Sequence, residues 1–380
     1  MMPLSLYVHL PWCVSKCPYC DFNSHALKGA RPDVAYIDLL LKDFDLDWPL
    51  VQGRTISSIF FGGGTPSLFA PSDFARLLSA LRSRADIAAD AEVTLEANPG
   101  AIEHGAFEGY AAAGINRVSL GAQSFSASAL ARLGRIHVPD DVGRAVTGLR
   151  AAGIRNFNLD LMYALPDQKL DEALEDVRAA IALGPAHLSH YQLTLEPGTV
   201  FAARPPPLPD DDLELEMQLE SQALLATAGY QQYEVSAYAQ EGRRCAHNLN
   251  YWQFGDYIGI GAGAHGKLSL ADPLRVLRTA KPKQPREYQR AIEAGAAPAG
   301  ERREVPASDL AFEFMLNALR LNEGFSLTAF QRRTGLPLST VAAPLSRATG
   351  RGLLEATPAG WAATGLGRRF LNDLQQEFLA

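Results

Sequence analysis

Cysteine is scarce in this sequence, which has four in 380 residues. Small secreted domains that depend on disulfides use far more for their length, and the N-terminal residues do not have the pattern of a secretory signal peptide. We therefore expect reduced cysteines and a cytoplasmic protein.

Other features are missing as well. No uninterrupted apolar run is long enough to cross a bilayer, and there is neither a long internal repeat nor a low-complexity tract. The formal net charge of -7 argues against wholesale nucleic-acid binding. What remains is a chain that is 47% hydrophobic, enough to bury one large core and a smaller appended domain.

Three of the four cysteines, Cys13, Cys17 and Cys20, lie within eight residues. They follow a strand-like run, so the thiols sit on a loop at the C-terminal end of a strand. Thiolates gathered this closely suit an iron–sulfur cluster, and three ligands on four irons leave one iron open to a reacting molecule. A structural zinc ion is the alternative, and it would need a fourth ligand such as His9 or His25.

Strand-like runs alternate with amphipathic helical stretches, and this alternation specifies a parallel sheet wrapped by helices. Six such units indicate an α/β fold, an incomplete (β/α)6 barrel, with ligands at the C-terminal strand ends. The predicted strands are 4–10, 56–61, 92–97, 117–121, 156–162 and 187–194. The predicted helices are 34–44, 72–85, 101–112, 140–151 and 171–183.

Two further motifs follow predicted strands. The glycine run Phe60-Phe-Gly-Gly-Gly-Thr-Pro-Ser67 can bring the backbone close to a ligand and expose N–H groups to a carboxylate, although such turns also serve packing alone. The polar residues Glu96, Gln123 and Asp160 end apolar runs, where they can bond a ribose or an ammonium group. Taken singly, each is more often a helix cap or a solvated loop residue.

The pattern Cys13-x3-Cys-x2-Cys20, with an aromatic residue before the last cysteine, resembles the signature of radical S-adenosylmethionine (SAM) enzymes. The run Tyr7-Val-His-Leu-Pro-Trp-Cys13 narrows the resemblance to the coproporphyrinogen dehydrogenase and HemW group. This resemblance implies the radical SAM barrel, a [4Fe–4S] cluster on the three cysteines, and SAM on the open iron through its amino and carboxylate groups. It also implies reductive cleavage of SAM to methionine and a 5′-deoxyadenosyl radical. The positions that match the family's SAM-binding residues are Tyr7, Tyr19 (against the adenine), Gly63, Gly64 and Thr65 (at the methionine end), Glu96, Gln123, Arg135 and Asp160.

The fourth cysteine stands in Arg243-Arg-Cys-Ala-His-Asn-Leu-Asn-Tyr-Trp252. This segment resembles the His-Asn-x2-Tyr-Trp element of HemW proteins, which are heme chaperones related to the dehydrogenases. Histidine and cysteine can both be axial ligands of heme iron. His247 is therefore the first candidate for heme contact, followed by Cys245 and His265. The alternative for a lone buried histidine is a hydrogen-bonded core residue.

Two departures separate the sequence from the decarboxylating dehydrogenases. Those enzymes carry a further cysteine where this chain has Phe22, and an extension ahead of the strand that here begins close to Met1. The resemblance therefore favours a chaperone that binds heme and delivers it to heme-requiring proteins, with respiratory proteins as first candidates. Oxidative decarboxylation of coproporphyrinogen III is the enzymatic alternative. The expected partners are heme, its acceptors and an electron donor, and a homodimer and peripheral contact with membrane proteins are compatible with this reading.

The predicted division of the chain has three parts. Residues 1–265 form the barrel with the cluster and SAM sites, 266–305 are rich in proline and basic residues, and 306–380 form a small, mostly helical domain that can resemble a winged helix. The middle part is either a solvated linker or a cationic arm for porphyrin propionates. In the family that the sequence resembles, the C-terminal domain packs near the barrel mouth, so we expect it to cover the ligand site. The basic residues of the middle part are Arg275, Arg278, Lys281, Lys283 and Arg286.

Overall fold

The computed structural model describes residues 2–27, 35–101, 106–271, 274–295 and 299–379. Six parallel strands form the centre of the fold, which confirms the predicted α/β architecture. Five of them begin at the predicted residue. The third begins at Ile87 and not at the predicted 92, because its early Ala-Ala-Asp run has low β propensity. The strands are β1 (Leu4–Leu10), β2 (Ile56–Gly63), β3 (Ile87–Ala97), β4 (Arg117–Gln123), β5 (Asn156–Tyr163) and β6 (His187–Gln192).

Helices alternate with these strands, as the apolar periodicity predicts. Three of the helices given below, α2, α5 and α10, begin with proline, which is preorganised for the first helical position. The predicted helix at 101–112 is described from Ala106 onwards, and residues 34 and 102–105 lie outside the described part of the chain. The helices are α1 (Ala35–Asp47), α2 (Pro71–Arg82), α3 (Ala106–Ala113), α4 (Ala127–Arg132), α5 (Pro139–Ala151), α6 (Leu170–Ala182), α7 (Val200–Ala203), α8 (Asp211–Thr227), α9 (Ala246–Trp252) and α10 (Pro285–Glu293).

Strand β1 shows how the alternation of side chains separates the apolar core from a polar interior. Leu4, Leu6 and Val8 are fully buried in the main apolar core. The intervening Ser5 and Tyr7 point to the other face of the sheet. The same division repeats along the other parallel strands, so the face that carries the site is lined by polar groups.

Six further strands extend the sheet on both sides of the parallel part. They are β7 (Gln231–Gln232), β8 (Ala237–Ala239), β9 (Asp256–Ile260), β10 (His265–Leu270), β11 (Arg275–Ala280) and β12 (Glu301–Glu304). The strand order is β12-β11-β10-β9-β1-β2-β3-β4-β5-β6-β8-β7. Within the described ranges no ladder joins the first strand of this order to the last, so the sheet is not closed.

Strands β10, β11 and β12 take up much of the stretch 266–305 and belong to this sheet, so the expectation of a solvated linker is wrong for them. Lys281 is 5% exposed, and its ammonium lies 2.5 Å from an Asp43 oxygen and 2.7 Å from an Asp47 oxygen. Both carboxylates lie on α1, far away along the chain, so the local composition could not reveal the pairing. Lys283, by contrast, is exposed.

Residues 306–379 pack around a second apolar core that includes Phe314 and Phe330. Phe254, which precedes β9, meets Phe314 with ring centroids 5.6 Å apart and joins this core to the barrel. Three helices followed by a two-stranded hairpin give the element order of a winged helix, and the predicted helical C-terminal domain is confirmed. Its elements are α11 (Ala307–Ala318), α12 (Leu327–Thr334), α13 (Ser339–Gly350), β13 (Leu354–Thr357), β14 (Gly360–Ala363), α14 (Gly365–Arg369) and α15 (Leu371–Gln376).

Within the described part of the chain, no helix has both the length and the apolar character needed to span a membrane.

Candidate functional site

The three clustered cysteines lie on one loop between β1 and α1. A short parallel pairing of Trp12–Cys13 with His25–Ala26 closes this loop, and the Cys20 N–H donates to the Cys17 carbonyl at 3.2 Å. All three thiols are free and half-buried. The predicted position of the thiols, on a loop at the C-terminal end of a strand, is confirmed.

A cavity of about 450 Å³ opens on this loop, and we call it the cluster cavity. Its other walls come from the C-terminal ends of β2 to β6, where parallel sheets bind ligands. It brings together nearly all of the residues predicted for the cluster and for SAM, although their assignment to SAM stays a prediction. The predicted residues that line it are Cys13, Cys17, Tyr19, Cys20, Gly63, Gly64, Thr65, Glu96, Gln123, Arg135 and Asp160.

The donors around the cysteines fit an iron–sulfur cluster. Burial raises the pKa of the Cys13 thiol, while hydrogen bonds to Thr65 and Ser24 oppose that rise. The Arg135 guanidinium lies 3.7 Å from the Cys17 sulfur. Hydroxyl and cationic donors favour thiolates, which are the form that binds metal.

A single zinc ion fits these residues less well. Among the described residues, no group of three or more His, Cys, Asp or Glu side chains is arranged to hold one metal ion, whereas the ligands of a larger four-iron cluster stand farther apart. His9 was a candidate for the fourth zinc ligand, but its ring nitrogens contact the Tyr7 hydroxyl at 3.0 Å and the Asn23 carbonyl at 2.8 Å. His25 turns Nε2 towards the Lys283 carbonyl at 3.3 Å.

Gly63 and Gly64 allow the end of β2 to approach the cysteine loop closely. Gly63 has a φ of +111°, and a Cβ at this position would lie 2.5 Å from His9 Cε1. A Cβ on Gly64 would clash with the Trp12 carbonyl. The Gly63 N–H donates to Glu96 Oε2 at 3.1 Å, and the Gly64 N–H pairs with the end of β1. The prediction that these N–H groups are exposed to a ligand carboxylate is therefore wrong.

Two carboxyls on β3 and β5, which are separated in the sheet by β4, line the cluster cavity. Asp160 accepts hydrogen bonds from Ser119 Oγ at 2.9 Å and from Asn158 Nδ2 at 2.8 Å, and burial raises its pKa. Burial, with a smaller effect of the nearby Asp160 charge, raises the pKa of Glu96 to about 8. Because Glu96 lies near the end of β3 and Asp160 lies within β5, neither is a helix cap. Glu96 can exchange a proton near neutral pH.

The remaining predicted SAM residues are held by unusual local geometry or by close packing. Gln123 has a φ of +66° at an irregularity of the β4–β5 register, and strained backbone of this kind clusters at functional sites. Arg135 donates to the Gly121 carbonyl at 2.8 Å, so it ties β4 to the cysteine loop. Tyr19 packs near Phe201 with ring centroids 6.4 Å apart, and burial raises the pKa of its hydroxyl.

Sequence reasoning missed the polar layer behind the two carboxyls. Arg117 is 2% exposed and lies 3.8 Å from Glu92. His187 Nδ1 lies 2.7 Å from Asn158 Oδ1, which links this layer to Asp160. The signal that could have found it is strand alternation, because Asn158 and Asp160 are two residues apart and share a face of β5.

Tyr7 does not line the cluster cavity but a second cavity of about 780 Å³, which we call the side cavity. The two cavities adjoin, since both are lined by Phe22, Gly63 and Glu96. His265 also lines the side cavity, and its side chain is exposed at the start of β10.

The three heme candidates lie in very different surroundings. His247 is buried on α9, and its ring nitrogens contact Ser58 Oγ at 3.2 Å and the Tyr251 hydroxyl at 2.9 Å; burial lowers its pKa to about 3. Cys245 is also buried, which raises the pKa of its thiol to about 12. His265 is the exposed member of the three. The burial of His247 does not suit its place as first candidate, since an axial ligand needs a free ring nitrogen.

The C-terminal domain lines neither cavity in the part of the chain that is described. It packs on the C-terminal end of α9, where the Arg320 guanidinium lies 4.3 Å from the centre of the Trp252 ring, and on Phe254 in the segment before β9. The expectation that this domain covers the ligand site is therefore wrong.

Comparison with known proteins gives the family. Residues 7–180 match the Radical SAM superfamily, and residues 305–370 match the HemN C-terminal domain. The heme chaperone HemW of Escherichia coli (strain K12) is 51% identical over 380 residues, which cover 100% of this chain and 98% of that protein. The heme chaperone HemW of Haemophilus influenzae is 48% identical over 99% of this chain and 98% of its own length.

A solved structure agrees with the fold. Coproporphyrinogen III oxidase (HemN) from Escherichia coli, described as a radical SAM enzyme, superposes with a TM-score of 0.83. The match covers 100% of this chain and 90% of the other at 24% sequence identity, which supports a shared fold and no more. By its full-length identity to the two chaperones, the chain belongs to the HemW family of the radical SAM superfamily.

Proposed function

We propose that this protein is a heme chaperone, which binds heme and delivers it to heme-requiring proteins, with respiratory proteins as the first recipients to test. The observation that carries the proposal is the 51% identity, along the whole chain, to a protein named as a heme chaperone. The side cavity supports it, because its volume of about 780 Å³ is that of a small-molecule site. Phe22 supports it too, since the decarboxylating dehydrogenases carry a cysteine there.

A [4Fe–4S] cluster on Cys13, Cys17 and Cys20, with SAM on its open iron, is part of the proposal. When bound, the cluster and SAM supply one-electron chemistry, and the electron comes from a donor protein. Within the chain, Arg135 holds the cysteine loop against β4. Glu96 keeps or releases a proton near neutral pH beside the same cavity.

The finer expectations of the sequence analysis belong to the same proposal. We infer a cytoplasmic location and a division into a barrel at 1–265 and a C-terminal domain at 306–380, with the strands of 266–305 joined to the barrel sheet. The match of residues 305–370 to the HemN C-terminal domain supports that boundary.

The test is an anaerobic titration of the reconstituted protein with heme, beside a turnover assay with coproporphyrinogen III, SAM and a reductant. Stoichiometric heme binding, transfer of that heme to an apo-hemoprotein and no porphyrinogen turnover are the expected results. SAM-dependent formation of protoporphyrinogen without specific heme binding would instead identify a dehydrogenase. In that case the phenylalanine at position 22 is a tolerated variation.

A further inference from the structure

The side cavity has the size and the position of a cargo site. Its volume of about 780 Å³ lies within the roughly 300–1,000 Å³ of small-molecule pockets. It adjoins the cluster cavity through Phe22, Gly63 and Glu96. A molecule bound there would therefore touch the wall of the cluster cavity.

Of the three histidines that line this cavity, His265 is the one with free ring nitrogens that can bind a metal centre. Its side chain is exposed, and it has no hydrogen bond to any of the described side chains or carbonyls. A neutral imidazole with a free ring nitrogen is the form of histidine that ligates a metal. His9 and His25 line the same cavity, but both already direct ring nitrogens at carbonyl oxygens.

Part of the remaining lining matches the chemistry of heme, a flat apolar ring with two carboxylates, while Asp21 and Glu96 also line this cavity. Phe22 is 59% exposed, which is unusual for a large apolar side chain that lines a cavity. Lys16 and Lys283 also line it; both are exposed, and neither has a carboxylate partner within the described ranges. The Lys16 ammonium donates to the Phe22 and Ser24 carbonyls at 3.1 and 3.4 Å, which leaves its charge uncompensated. The exposed Phe22 ring next to ammonium groups without carboxylate partners fits a macrocycle with propionates.

A neighbouring cleft, which His265 also lines, is less suitable for heme propionates. It is lined by β11 and α11 residues, and its cations are already neutralised. The Arg278 guanidinium lies 2.6 Å from a Glu313 oxygen, and that of Arg303 lies 3.9 Å from the second oxygen. Propionates would have to compete with this carboxylate.

We propose that the side cavity is the heme site, with His265 as the axial ligand of the iron, Lys16 and Lys283 facing the propionates, and Phe22 packed against the macrocycle. The inference rests on the proposed heme-chaperone function, and it moves the ligand from the buried His247 to an exposed histidine beside the cluster cavity.

The test is a heme titration of the reconstituted full-length protein, followed through the Soret band and electron paramagnetic resonance. His265→Ala should weaken binding at least ~10-fold, by analogy with the loss of metal-site partners, and should change the spin state, and added imidazole should restore the spectrum. Lys283→Gln should weaken binding about 3- to 10-fold, and less so at high salt. Since both side chains are exposed, neither change threatens folding.

The outcomes separate this inference from the function on which it rests. If the unaltered protein binds no heme, the chaperone proposal fails together with this one. If it binds heme and His265→Ala keeps both affinity and spectrum, the chaperone proposal stands and the assignment of His265 is overturned. The conservative His247→Gln variant should keep the wild-type Soret position, and its loss there would also count against His265.

Discussion

Replacing Gly63 with alanine tests whether the close approach of β2 to the cysteine loop is needed for the site. The residue has a φ of +111°, which costs an L-residue roughly 1–2 kcal/mol. The added methyl would also lie 2.5 Å from His9 Cε1 and 2.7 Å from both ring nitrogens. That ring cannot yield freely, because it contacts Tyr7 and Asn23, and overpacking of this kind costs roughly 1–3 kcal/mol more. We expect a loss of about 2–5 kcal/mol in the free energy of unfolding, since the two costs add.

Urea unfolding under anaerobic conditions measures this loss, and iron analysis after reconstitution measures the effect on the cluster. Gly153→Ala is the matched control, because Gly153 has a φ of +80° with nothing within 4 Å of its hypothetical Cβ. This variant should lose only the free energy of unfolding that comes from the positive φ, roughly 1–2 kcal/mol, and it should bind its full complement of iron. Equal losses in the two variants, or full iron content in Gly63→Ala, would refute the reasoning from the close contact.

Three further changes test other parts of the molecule. Cys17→Ser should abolish the cluster and leave the circular dichroism spectrum unchanged, because the loop lies outside the apolar core; iron and sulfide analysis checks this. Lys281→Met should cost about 3–5 kcal/mol in urea unfolding, because it removes the ammonium from the Asp43 carboxylate, which is 0% exposed, while Asp47 keeps the Arg302 guanidinium at 2.9 Å. The pKa of Glu96 is raised from 4.5 to about 8, so the folded state holds a proton that the unfolded state releases between those values. Its contribution to stability is fully present below pH 4.5 and falls as the pH rises towards 8, with a slope of at most ~1.4 kcal/mol per pH unit, and Glu96→Gln should flatten that slope.

Each of these has its own control or contrary outcome. Cys245→Ser removes a thiol that lies outside the cluster loop, so this variant should keep the iron. An intact cluster spectrum in Cys17→Ser would refute the assignment of Cys17 as a cluster ligand. Arg84→Ala breaks an ion pair whose side chains are 34% and 50% exposed and should cost only about 0–1 kcal/mol; a similar cost for Lys281→Met would contradict the buried-pair argument. An unchanged pH slope in Glu96→Gln would show that another group titrates there.

The barrel was predictable because its signals are local. The predicted strand at 4–10 coincides with β1 (Leu4–Leu10), and the predicted helix at 140–151 differs from α5 (Pro139–Ala151) by one residue. The prediction failed at Lys281, whose local setting is proline-rich and basic. Its burial depends on Asp43 and Asp47 in another part of the chain, and such a pairing leaves no trace in composition.

In the candidate site, too, some residues could be predicted from local sequence and others could not. The cysteines and Asp160 were found because spacing and strand-end position decide where they lie. The choice between His247 and His265 could not be made that way, because the two side chains are chemically identical and the motif singled out the first. Burial against Ser58 and Tyr251 occupies both nitrogens of His247, while the start of β10 leaves His265 exposed. A free ring nitrogen is the property that an axial ligand requires, and it is decided by the tertiary packing around the ring and not by the motif that contains it.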